Sequence, residues 1–155
     1  MADASDHALY AVGNTLHAQV SSVSDFGASR FWNSAELTAE LAASDVLDFT
    51  KNRSALDHTR SEASLSLEAY FEPQYFEVLP NLDVRLPIGF SYGLAGDSAT
   101  SDEVYANAGD FEVGVEATFR TEWEMRLTYA HFLGSPYQLA LADRDFISLG
   151  IQRTF

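Results

Sequence analysis

Side chains able to do chemistry are present in this chain, but their spacing assembles few reactions. The four histidines, His7, His17, His58 and His131, lie far apart and show neither H-x-x-x-H nor H-E-x-x-H spacing, so no zinc site and no other metal site is expected. There is no G-x-S-x-G elbow. With Cys 0 there is no thiolate nucleophile, no cysteine-based zinc or iron–sulfur site and no disulfide. His17 could pair with a serine and an aspartate in a hydrolase, but a solvated polar histidine is the plainer reading. The expectation is therefore no enzyme and no cofactor. Asp97, Asp102, Glu103 and Asp110 crowd one polar stretch where carboxylates could hold calcium, yet their spacing fits no EF-hand, and acidic loops are usually only hydrated. Asp143, Arg144 and Asp145 read as a local charge cluster fixing a loop to the last strand.

More informative are the acids and arginines that recur at alternate positions. Glu36, Glu40, Glu62, Glu68, Glu72, Glu112, Glu116 and Glu124, with Arg60, Arg85, Arg120 and Arg126, fall on one side of segments whose other side is apolar. From Thr59 to Glu72, Ala63, Leu65, Leu67, Ala69 and Phe71 share a period-2 face, and Ser34 to Ala43 sorts in the same way. So do Phe111 to Arg120, Trp123 to Ala130, Leu82 to Ala95, Asp145 to Phe155 and, at the start, Ala8 to Val23. A helix would not sort them so, and the reading is about seven antiparallel strands in a single domain, 1–155.

Composition narrows the partners. Lys+Arg 9 against Asp+Glu 23 gives a net charge of −14 and argues against nucleic acid, which needs a basic face. No run approaches the ~18 apolar residues of a membrane helix. Alternation alone also fits a soluble sandwich or a lipocalin-like barrel holding an apolar ligand. Three features favour a transmembrane barrel, apolar face to lipid and polar face to the lumen. The segments, at roughly 11 to 16 residues, are longer than usual soluble strands and long enough to cross a bilayer. Connections alternate: Ser24 to Arg30, Pro73 to Asn81 and Arg120 to Glu122 are short or medium turns, while Ser44 to His58, Gly96 to Asp110 and Gly134 to Arg144 are longer and polar. Aromatic residues gather near strand ends, as at Phe119 and Trp123, Phe71, Tyr75 and Phe76, and Phe155, where interfacial belts would place them.

The ending S-L-G-I-Q-R-T-F resembles the assembly signal of outer-membrane barrels, carried by Ser148, Gly150 and the terminal Phe155, with Arg153 as a departure. Upstream, V-L-P-N-L-D-V-R-L-P-I-G-F-S-Y from Val78 to Tyr92, L-T-Y-A-H-F-L-G from Leu127 to Gly134 and A-D-R-D-F-I-S-L from Ala142 to Leu149 resemble the C-terminal part of the large proteobacterial outer-membrane barrels of domain-of-unknown-function family 1302. The resemblance implies a Gram-negative outer membrane and movement of hydrophobic compounds across it. It implies as partners outer-membrane lipid and lipopolysaccharide, and the barrel-assembly machinery through the last strand. Family members are much longer. Seven strands is also an odd number, and MADASDHALY has no basic region followed by an apolar stretch. The chain is therefore expected to be the C-terminal portion of a larger barrel, completed by N-terminal strands or further copies. The function expected is a polar lumen for passive transport or export of small or hydrophobic compounds, lined by the charged residues named above; the alternative is the soluble lipocalin-like binding module.

Overall fold

The computed structural model describes residues 10–154. It is one antiparallel sheet. In chain order the strands are β1 (Val12–Phe26), β2 (Ser34–Lys51), β3 (Ala63–Leu79), β4 (Leu82–Arg85), β5 (Ile88–Ala95), β6 (Gly109–Phe119), β7 (Trp123–Leu133) and β8 (Phe146–Arg153). A single 3-10 turn, Arg53–Ala55, is the helical content of the described residues. Neighbours in sequence are neighbours in the sheet, β1-β2-β3-β4-β6-β7-β8, with β5 also between β3 and β6. β1 and β8 each pair on one edge, with β2 and β7 respectively.

β4 and β5 are one strand interrupted at Leu86 and Pro87. Arg85 pairs with Glu116 and Ile88 with Val113, so the register against β6 runs unbroken across the gap. On the β3 side, Phe71 pairs with Ile88 and Gln74 with Arg85, which sets Pro73 beside Leu86 and Glu72 beside Pro87. Both prolines lack an N–H, and the two missing donors fall at one place in the ladder. The Pro73 carbonyl still accepts from Leu86 N at 3.0 Å, and the Pro87 carbonyl from Gly114 N at 2.8 Å. The Pro87 ring fits because Gly114 has no side chain, a Cβ there standing 3.0 Å from Pro87 Cγ.

The stretch from Ser44 to Lys51 continues β2, where a loop was expected, and β3 runs through Pro73 to Leu79, where a turn was expected. The reason in the second case is that shared ladder gap: two prolines at adjacent rungs, Pro73 beside Leu86 and Pro87 beside Glu72, interrupt the pairing at one place instead of two. The connections remain unequal. Residues 27–33, 80–81 and 120–122 lie at one end of the sheet, and 52–62, 96–108 and 134–145 at the other.

Register decides the faces. Leu41 pairs with Val20 and Leu67, and Leu127 with Val115 and Leu149, so the aliphatics share one face across neighbouring strands. Leu37, Leu65 and Val115 lie on it too, and the strands pack chiefly against their ladder neighbours, with no second sheet over that face among the described residues. Val20 is 73 %, Ile147 72 % and Leu149 70 % exposed. The buried apolar residues are Ala35, Val46, Ala108 and Ala130, and no large side chain is fully buried. The surface is 10545 Å², against about 7,800 Å² for a compact monomer of this mass. At the short-turn end, Trp32 packs edge-on to Phe71, centroids 5.6 Å apart, and to Phe26 at 6.4 Å.

Filling the notch under Pro87 tests the break. G114V is expected to lower stability by about 1–3 kcal/mol through overpacking, read from the urea midpoint with an unchanged slope, whereas G150V, at a glycine with open space around it, has no such clash to relieve.

Candidate functional site

The polar face carries the charge. Glu36 stands opposite Glu72 and Glu40 opposite Glu68 across the β2–β3 ladder, and the row continues through Ser91 on β5 to Asp110 on β6. Like charges directly across a ladder repel. Of the Glu40–Glu68 pair, Glu40 is bonded by Gln19 Nε2 at 2.6 Å.

Toward the short-turn end the acids meet cations. Glu116, 5 % exposed, lies between two guanidinium groups: Arg85 Nη2 at 2.7 Å and Arg126 Nε at 2.5 Å. Arg85 also reaches Glu72 at 3.6 Å and Glu124 at 3.8 Å, and the Tyr70 hydroxyl donates to Glu72 at 2.8 Å. Arg126 faces Glu116 because β6 and β7 form a hairpin about residues 120–122. Arg85 joins them because β4 pairs with the other edge of β6. The outcome is an ion network across β3, β4, β6 and β7 whose carboxylates and guanidinium groups satisfy one another in partial burial.

Other expected site residues lie elsewhere. Arg60 and Glu62 precede β3: Glu62 pairs with Arg53 at 2.5 Å, and Arg60 joins the 96–108 segment. Arg120 sits in the β6–β7 turn at φ 54, over the Phe119 ring at 5.1 Å, and not on a strand face. Glu112 is on the polar face opposite Gly89 and Ala130, and Glu124 opposite Thr118 and Gln152. Ser148 and Gly150 lie on the polar face of β8, opposite Thr128 and Arg126. His7 and Phe155 lie outside the described residues.

At the long-loop end a cavity of about 640 Å³ opens between the sheet and the loops, with Glu68, Asp102, Glu103 and Asp110 among its lining and no lysine or arginine. No group of three or more His, Asp or Glu side chains among the described residues is placed to hold a metal ion. Asp97, from the same acidic stretch, accepts from the Ala106 amide at 2.8 Å and closes a turn. Asp145 accepts from the Tyr129 hydroxyl at 2.7 Å and lies 2.8 Å from His131 Nδ1, so it ties the 134–145 loop to β7 rather than to the last strand. The bond to His131, then that from Tyr129, holds the Asp145 carboxyl below its usual range. Asp57 is lowered likewise by the Thr59 amide and hydroxyl.

The residues thus define an all-β antiparallel sheet with one apolar and one ionic face. The model of the protein family of unknown function DUF1302 matches residues 3–155, and the chain belongs to that family. No curated protein and no solved structure matches it.

Two outcomes follow from this geometry. E116A strips both arginines of their shortest partner and is expected to cost about 1–3 kcal/mol in chemical denaturation, with E116Q intermediate. A depressed carboxyl stabilises above its ordinary value of 3.8 and loses that contribution as pH falls through the lowered value. Hydrogen-exchange protection in the 134–145 loop, taken relative to the intrinsic rate at each pH, should therefore fall on acidification below that range, and D145N should show low protection at every pH. Titration of Asp145 at or above the ordinary value would contradict the assignment.

Proposed function

We propose that this chain forms wall of an outer-membrane β-barrel in a Gram-negative bacterium, its apolar face against lipid and its ionic face lining an aqueous path for passive transport or export of small or hydrophobic compounds. The observation that carries this is the single-layer sheet whose aliphatic face is left uncovered while its charges collect on the other side. Exposed apolar area of this extent calls for a partner surface, and strands of 15, 18 and 17 residues in β1, β2 and β3 are ample for a bilayer. In hydrocarbon the outer edges of β1 and β8 must be paired, by closure on one another or by further strands. Short turns at one end and long loops at the other support an orientation with the long loops outside the cell. The carboxylates along the path disfavour anions.

Leu149 separates lipid from water. At an exposed site in water L149R should change stability by less than about 0.5 kcal/mol, whereas facing the bilayer it should cost about 2–4 kcal/mol. The expected result in lipid vesicles is the large loss, together with folding that requires detergent or lipid and a gel mobility that shifts on heating. A stable soluble monomer in plain buffer with a neutral L149R would overturn the proposal.

A further inference from the structure

The segment joining β5 to β6, residues 96–108, does not stand clear of the sheet; it folds back over the polar face. Ser98, 2 % exposed, lies 3.4 Å from Ser44 Oγ on β2, and the Thr100 hydroxyl is 3.1 Å from the same oxygen, which is 2.7 Å from Ser64 Oγ on β3. Ser44 and Ser64 are cross-strand partners on the polar face, so the segment reaches two strands beyond its own. On β5, Gly93 is the polar-face partner of Ser66, and a Cβ there would collide with the Tyr105 carbonyl oxygen, so the segment's backbone lies directly on the sheet.

One side chain anchors it. Arg60, 15 % exposed, donates to the Ser98 carbonyl at 3.1 Å, the Ser101 carbonyl at 3.3 Å and the Tyr105 hydroxyl at 2.6 Å, and its guanidinium lies 4.3 Å from the Tyr105 ring centroid. From the third loop, Gln138 Nε2 donates to the Ala106 carbonyl at 3.1 Å. Two carbonyls, a hydroxyl and a ring face held by one guanidinium make a fixed fold rather than a loop resting on the surface.

We propose that residues 96–108 form a constriction, pinned by Arg60, that sets the largest solute able to travel along the polar face. This rests on the passage proposed above and names the element that limits it. A segment bound across β2, β3 and β5 removes that part of the face from the path and leaves the acid-lined cavity beside it as the way through.

The test uses the full chain in liposomes, with uncharged sugars of graded size as probes. Because the native chain has Cys 0, S44C/T100C supplies a single disulfide pair. Oxidation should cross-link it intramolecularly, seen as a loss of two hydrogens in intact mass, and leave the size limit as in the unaltered protein. R60A should admit larger sugars and raise swelling rates about twofold or more. In R60A/S44C/T100C, oxidation should restore the original limit and reduction should release it, a comparison within one folded sample. Equal size limits in R60A and the unaltered protein, or no cross-link in folded protein, would overturn the constriction while leaving the passage standing. An unaltered protein that inserts into liposomes but admits no sugar would overturn the passage itself, and the constriction with it.

Discussion

In a sheet one layer thick, the pleat alone decides what every side chain meets. Antiparallel pairing satisfies the backbone of each strand through its neighbours, and the two-residue period then commits alternate residues to opposite faces. Leu41, Leu67 and Leu127 go to one side and Glu40, Glu68 and Arg126 to the other, and a one-residue slip would exchange the two sets. No buried core competes with that rule, since the buried apolar residues amount to three alanines and a valine. Stability must come from ladder bonds, from cross-strand pairs and from whatever covers the aliphatic face.

The ionic face shows how such a sheet distributes its charge. With Asp+Glu 23 and Lys+Arg 9, most acids cannot be paired, and two arginines, Arg85 and Arg126, converge on one buried carboxylate. Glu116 is the most buried carboxylate named here and has two arginines, whereas Glu40 and Glu68 face one another at an open position where water can screen them. The gradient along the sheet, an ion network toward the short turns and the facing Glu40 and Glu68 nearer the long loops, needs water on that face. A dry core could not hold it.

Much of this was legible in the sequence. Alternation identified the strands and their faces because a half-buried sheet writes its period directly into residue order. The short turn at Arg120 to Glu122 is legible as such, and the structure shows that the hairpin it makes sets Glu116 opposite Arg126. Arg85 could not be placed in the same way, because a long segment separates β5 from β6 and loop length says nothing of register. Prolines misled at Pro73: a lone proline ends a ladder, and only the pairing with β4 and β5 shows a second one at the same gap. Arg60 and Arg120 kept the parity of their strands on paper, but one had not yet entered the sheet and the other had left it at a positive φ.

The two ends of the sheet are built on different physics, and this bears on what can change independently. At the short-turn end the chain reverses within a few residues and aromatic rings pack against one another, so a substitution there disturbs register. At the other end the loops hold each other by polar contacts: Arg60 to the 96–108 segment, Gln138 to Ala106, and the Tyr137 hydroxyl to Thr59 at 3.1 Å. Each such bond is worth only about 0.5–1.5 kcal/mol net, and breaking one leaves the ladders beneath unchanged. Loop sequence can therefore vary while the strands go on obeying the pleat, which is the division expected where a rigid scaffold carries variable connections.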